Sequence, residues 1–294
     1  MQPPYPVDLV PLLPQFLTRR RTKLDYILRA TEELGLDRPA FVRAVSLAEA
    51  APDGATLEEL LFPYSVRGEM LRGMLAAGEA AGLVEEREGR FHATEKARDH
   101  GRRFHAAARA HLEKIQPLPQ AQVTRLADLL ERAFLAAAAA AAPAAPHAHT
   151  PRAFRYREGT ASAHPMVTLD NAVYGLWMVR DDCHVAAWTT RRMRGPDLNV
   201  LTQLWRGEAN TPAALAALLG SGTEEHVNAS LAALRRAGLV ESGEPLRPTA
   251  RGSSERDAIE MDTDRAFFGP WPDDVGSEAA WITDHLVRVN AALE

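Results

Sequence analysis

His184 lies in the run RDDCHVAAW, with Asp181 three residues before it and Trp188 four after, so on a helix the three share a face. A histidine placed this way can sense a ligand, hold a metal ion or titrate near neutral pH. A lone histidine on a partly apolar helix equally suits a core position with its hydrogen bond satisfied. Cys183 beside it is the single cysteine. It serves as a redox sensor only with a depressed pKa, and a buried inert thiol is the plainer reading. Asp181 and Asp182 can form an acid–base pair or can simply be a solvated helix turn. His147 and His149 have ligand-like spacing but no third ligand. His100, His105 and His111 do not share the i, i+4 face that paired ligands need. No metal site, cofactor or catalytic residue is expected, because the sequence has no phosphate-cradling glycine loop, GxSxG, HExxH or paired cysteines.

Large aromatics give a different signal. Tyr174, Trp177 and Trp188 sit on the same predicted helix as His184, and pockets between helices are commonly lined this way. These four residues are the expected ligand pocket, with plain core packing as the alternative.

Composition sets the frame. A chain of 294 residues accommodates two domains. The apolar content of 46% lets each half bury a core. One cysteine rules out an internal disulfide framework and suits a reducing compartment. The start, MQPPYPVDLVPLLPQFL, has no basic stretch before its apolar part, so no secretory signal is expected. The small-residue run Leu135 to Ala145 is too short for a membrane span and contains Pro143. A soluble cytoplasmic protein is expected. Residues 1–146 carry 19 Lys and Arg against 19 Asp and Glu, and residues 147–294 carry 15 against 20, so the net charge of −5 falls in the second half. That balance argues against a strongly basic nucleic-acid surface.

One stretch occurs twice. Leu75 to Glu85 reads LAAGEAAGLVE and Leu231 to Glu241 reads LAALRRAGLVE. Each copy ends a helical pattern, turns at Gly82 or Gly238, and runs into an apolar pair, so the chain reads as one unit written twice. In the first copy an extended proline-rich arm (1–18) precedes helices over Arg19 to Leu34 and Phe41 to Ala50. Thr56 then caps TLEELL with Glu59 three residues on, a capping box. Ser65 caps a helix to Ala81, and two short strands join through the tip EEREG. Thr94 starts another helix, and a last one spans Ala121 to Ala142. The second copy repeats the order: a helix over Val167 to Thr189, one over Pro196 to Trp205, Thr211 capping PAALAALL, Thr223 beginning a helix to Ala237, a shortened hairpin at SGEPLR, Thr249 starting a helix, and a last helix over Ser277 to Leu293. The expected domains are 1–142 and 159–294, joined by an Ala/Pro-rich linker at 143–158.

This order resembles a winged helix-turn-helix of the MarR type. The residues that carry the resemblance are APDGATLEELL, GMLAAGEAAGLVEE and HATEKARDHGRRF followed by LPQAQVTRLADLLERA, over most of residues 24–135. The second copy resembles a group of actinobacterial winged-helix proteins sometimes called SalK-like, through RDDCHVAAW, LTQLWRGE and RDAIEMDTDRAFFGPW. MarR-type proteins are homodimers whose first and last helices pack together. The resemblance therefore implies a mainly α fold (α+β winged helix) in which two tandem winged helix-turn-helix domains form an intrachain pseudo-dimer through their terminal helices. It implies a transcription-regulator-like protein that binds double-stranded DNA, open to control by a small-molecule effector, as a monomeric pseudo-dimer or a homodimer. The helix after Ser65 would lie in the major groove, with Ser65, Arg67 and Arg72 toward the DNA and the wing residues Arg87 and Arg90 on phosphate or the minor groove. Glu85, Glu86 and Glu88 crowd that wing, and Glu224 and Glu225 oppose phosphate in the second copy, so the first copy is the expected reader. The alternative is a winged-helix scaffold without DNA binding that serves as a small-molecule or protein-interaction module; an enzyme with its site in the central cleft is the remaining reading.

Overall fold

Threonines set where several helices begin. Thr56 Oγ1 accepts from the Glu59 amide at 3.2 Å, while the Glu59 carboxylate accepts from the Thr56 amide at 2.8 Å. This capping box satisfies two amides that have no partner within the helix. Thr94, Thr211 and Thr249 accept from Ala97, Ala214 and Gly252 in the same way. Thr223 gives no such cap, and its hydroxyl pairs with His226 Nδ1 instead.

The computed structural model describes residues 5–64, 67–140, 149–219 and 223–293. In chain order the first helices are α1 (Leu12–Arg19), α2 (Tyr26–Leu34), α3 (Arg38–Ala50), α4 (Leu57–Leu61) and α5 (Gly68–Ala80). Strands β1 (Val84–Arg87) and β2 (Arg90–Ala93) follow, then α6 (Glu95–Leu112), α7 (Gln120–Ala139), α8 (Thr150–Gly159), α9 (Pro165–Thr189) and α10 (Gly195–Arg206). The chain continues through α11 (Pro212–Leu219), α12 (Glu224–Arg236), α13 (Ala250–Phe268), α14 (Asp273–Gly276) and α15 (Ala279–Ala292). The molecule is a mainly α winged helix-turn-helix protein, with one small antiparallel sheet among the described residues.

Three expectations change. Part of the proline-rich arm is helical, because Pro14 falls in the first turn of α1, where a missing amide costs no intrahelical bond. The helix expected from Arg19 to Leu34 is interrupted, and residues 20–25 turn so that Arg20 and Arg21 both reach Asp170. Residues 150–158, expected within a linker, are helical in α8, with Ala153 and Tyr156 buried.

The repeated stretch is built from the same hydrogen bonds in both places. Gly82 and Gly238 take the left-handed conformation, with φ of 72° and 69°, that closes a helix most readily with glycine. Thr94 Oγ1 donates to Gly82 O at 2.7 Å and Thr249 Oγ1 to Gly238 O at 2.8 Å. After Gly82 the chain forms the β1–β2 hairpin, paired Val84 with Ala93 through Arg87 with Arg90. After Gly238 it makes a single bridge, Val240 with Pro248.

By contacts the chain divides into two compact units. The first comprises residues 1–55, 73–183 and 264–294, and the second residues 56–72 and 184–263. The core of the first unit joins Leu9, Leu13 and Phe16 to Leu126, Leu130 and Phe134 of α7, Val167, Val173 and Leu176 of α9, and Ile282, Leu286 and Val289 of α15. Here α7 and α9 approach closely, since a Cβ on Gly175 would lie 2.6 Å from the Phe134 ring. The core of the second unit joins Leu201 and Leu204 of α10 to Leu215 of α11, Val227, Leu231 and Leu234 of α12, and Val240 and Leu246.

Candidate functional site

In the first unit, α3 packs on α6 and α8, and a cavity of about 200 Å³ opens beside them. Its apolar wall is Ile27, Phe41, Val42, Val45 and Phe104. Its polar wall is Arg20, Arg21, Glu49, His105, Arg152, Tyr156 and Tyr174. Behind that wall Asp170, fully buried on α9, pairs with Arg20 and with Arg21 at 3.1 Å, and it accepts from the Tyr156 hydroxyl at 2.5 Å. His105 Nε2 meets Glu49 Oε1 at 2.6 Å. Burial pushes the Glu49 carboxyl up, but the His105 hydrogen bond and charge, then Arg152 and Arg21, outweigh it, so Glu49 titrates below the usual carboxylate range.

The arginines are less well provided for. Arg152 makes only a loose 3.7 Å pairing with Glu49 among the described residues, and its Nε is buried without a hydrogen bond. Arg21 spreads its guanidinium over the Phe104 and Tyr156 rings, at 5.1 and 5.2 Å from their centroids. Burial brings its pKa down to about 10, against the opposing charge of Asp170. Burial also raises the Tyr174 hydroxyl, which stays protonated and accepts no charge at neutral pH. Tyr174 packs on Tyr156 with ring centroids 4.5 Å apart.

Arg152 and Tyr156 reach the cavity from α8, and α8 is fastened by Asp182. The Asp182 carboxylate accepts from the Thr150 amide at 2.8 Å, the Thr150 hydroxyl at 2.7 Å, the His149 amide at 3.2 Å and His149 Nδ1 at 3.0 Å. A carboxylate on the amides that begin a helix is favoured by both hydrogen bonding and the helix dipole. Asp181 meets His149 Nε2 from the other side at 3.2 Å. The two aspartates therefore act on a histidine.

Of the expected pocket, Tyr174 lines this cavity, and Trp177 packs against the first unit's core. His184 and Trp188 belong to the second unit. There His184 Nδ1 lies 3.0 Å from Thr263 Oγ1, and buried Trp188 packs against Phe62 and Tyr64. Cys183 is buried, and desolvation, reinforced by Asp182, pushes its thiol up to about 12.

In sequence order α4, a turn and α5 are followed by the β1–β2 hairpin. A family model for a helix-turn-helix family matches residues 75–294, most of the chain. The chain belongs to this helix-turn-helix family. No curated protein and no solved structure matches it.

On this helix-turn-helix chain the expected DNA-facing residues fare differently. Ser65 lies outside the described residues. Arg67 donates to the Leu219 carbonyl at 2.7 Å, within the second unit. Arg90 donates to the Gly54 carbonyl at 2.8 Å, tying the hairpin to the turn after α3. Arg72 is exposed on α5, and Arg87 is exposed on β1, where it pairs with Glu85 at 3.0 Å. No helix among the described residues is long and apolar enough to cross a membrane.

Sequence reasoning missed Arg20, Arg21, Glu49, Arg152 and Asp170. The available signals were the Arg19-Arg20-Arg21 run, which reads as a solvated face, and Asp170 within the otherwise apolar start of α9.

Proposed function

We propose that this helix-turn-helix protein is a DNA-binding transcription regulator of MarR type, responsive to a small molecule, with its halves arranged as an intrachain pseudo-dimer. Family membership, together with a helix-turn-helix followed in sequence by a wing, is the observation that carries the DNA-binding reading. The core shared by α1, α7, α9 and α15 supports the pseudo-dimer, because it draws terminal helices of both halves together. DNA contact falls to Arg72 of α5 and Arg87 of the wing, whose guanidinium groups are exposed, with Arg67 and Arg90 tied to backbone carbonyls beside them. The four aromatic and histidine positions Tyr174, Trp177, His184 and Trp188 contribute to ligand response mainly through Tyr174.

The second reading is a scaffold that has given up DNA. It is favoured by the carbonyl contacts of Arg67 and Arg90 and by exposed Glu224 and Glu225 at the start of α12. Binding to random duplex DNA over a range of salt concentrations separates the two. DNA binding predicts a log–log salt slope that falls by about one for each of Arg72→Ala and Arg87→Ala. An affinity for duplex DNA indifferent to salt and to both substitutions would establish the scaffold.

A further inference from the structure

A two-headed DNA reader places the first turns of its two recognition helices in half-sites about 34–36 Å apart, one turn of the duplex. In this chain those turns belong to α5 and α12, and they lie far too close for that. Tyr64, Arg67 and Met70, around the start of α5, and His226, Val227 and Ser230, near the start of α12, line one cavity of about 380 Å³. A sphere of that volume is roughly 9 Å across. Several separate contacts hold the arrangement within the second unit. Arg67 donates to the Leu219 carbonyl at 2.7 Å, and Phe62 and Tyr64 pack on Trp188 with ring centroids 6.3 and 6.0 Å apart. Gly195, at the start of α10, leaves no room for a Cβ beneath the Pro63 carbonyl.

Of the two helices, α5 is the one equipped to read. Its exposed stripe is Glu69, Arg72, Gly73 and Ala76, at helical spacing, and a full hairpin follows it. Gly73 and Ala76 are small enough to let base edges approach the helix. Glu69 and Arg72 make no hydrogen bond or ion pair with the described residues. By contrast α12 begins with exposed Glu224 and Glu225, which repel phosphate, and its hairpin is reduced to the Val240–Pro248 bridge.

We propose that each chain reads a single asymmetric half-site through α5 alone, with Arg72 on a guanine and Glu69 on a cytosine of the adjoining base pair. This rests on the DNA-binding reading above. An arginine fork matches guanine O6 and N7, and a glutamate accepts from cytosine N4. The two residues are three apart, about 4.5 Å along the helix axis, close to the ~3.4 Å step between base pairs. A carboxylate in the groove is repelled unless an amino group meets it, so Glu69 turns its charge into a requirement for cytosine. An inverted repeat then takes two chains.

Selection of duplexes from a random pool with the full chain, followed by titration and native mass measurement of the complex, tests this. The expected motif is asymmetric, with adjoining guanine and cytosine positions, and one chain saturates a duplex carrying one copy. Arg72→Ala removes the guanine preference, about tenfold or more. Glu69→Gln moves the preference at its position from cytosine to adenine, which glutamine pairs at N6 and N7. Asn228→Ala, on the exposed face of α12, changes neither preference. All three side chains are exposed, so the variants fold, and circular dichroism checks it. One chain bound to an inverted repeat with half-sites about 10 base pairs apart, an unchanged motif in Glu69→Gln, or a motif lost in Asn228→Ala overturns the proposal while leaving DNA binding intact. Salt-sensitive binding that enriches no motif overturns it as well. Absence of any salt-sensitive binding by the wild-type chain refutes the DNA-binding reading itself, and this proposal with it.

Discussion

Replacing Asp182 by alanine tests whether one carboxylate on α9 holds α8 in place. Its side chain is 2% exposed and, from His149 and Thr150, accepts four hydrogen bonds, two of them from backbone amides at the start of α8. Hydrogen bonds to a charged group contribute about 1.5–3 kcal/mol each, but those sharing one acceptor do not add. The Thr150 amide is left without its partner, whereas the Thr150 hydroxyl and His149 can turn to water. The expected loss for Asp182→Ala is about 3 kcal/mol, at the upper end of single substitutions. Asp182→Asn keeps an oxygen for Thr150 but turns an NH2 toward His149, and should cost about half as much. The pH dependence has a definite sign. Burial raises the Asp182 carboxyl, yet His149 and Thr150 lower it further, so its folded pKa lies below the ordinary value. Its contribution is fully present above the unfolded aspartate pKa and disappears as pH falls through the folded one. Urea unfolding at neutral pH and in acid, with m-values checked for constancy, measures all of this. A loss below about 1 kcal/mol for Asp182→Ala, or an Asn deficit that persists undiminished in acid, would refute the assignment of α8's anchor to this carboxylate.

His149→Gln gives the complementary profile. Burial lowers the His149 pKa, but Asp182 and Asp181 outweigh it and leave it raised, so the stabilisation is full below the unfolded histidine pKa and is lost as pH rises through the folded one. The deficit of His149→Gln in urea unfolding should therefore be largest below about pH 6.5 and fade in base. Gly175→Ala forces a methyl against the Phe134 ring between α7 and α9, and should lower stability by about 1–3 kcal/mol in the same assay.

The helices were legible where local chemistry decides. The capping box at Thr56, the cap at Thr94 and the glycine closures at 82 and 238 were all readable, because each depends on residues within a few positions. The wing was readable in the first copy and overdrawn in the second, where Pro245 and Pro248 remove two amides within the short return and leave one bridge. The cavity was not readable. Arg21, Glu49, His105, Arg152 and Tyr174 come from five separate segments, and no local pattern shows that three guanidinium groups will share two carboxylates. Asp181 and Asp182 read as an acid–base pair or a solvated helix turn, and their partner, His149, reads with His147 as a weak metal pair, so the anchor of α8 is not visible in either. The pairing with α9 depends on α8 forming where a linker was expected.

The division of the chain into units has a consequence for how it is made. The path passes from the first unit to the second at residue 56, back at 73, out again at 184 and back at 264. Each unit is thus assembled from segments far apart in the sequence. During synthesis residues 56–72 emerge long before the partners they pack with, so the second unit closes only after residue 263 has been made. Contacts of such long sequence separation slow folding. A chain cut between residues 140 and 149 yields two products neither of which contains a whole unit.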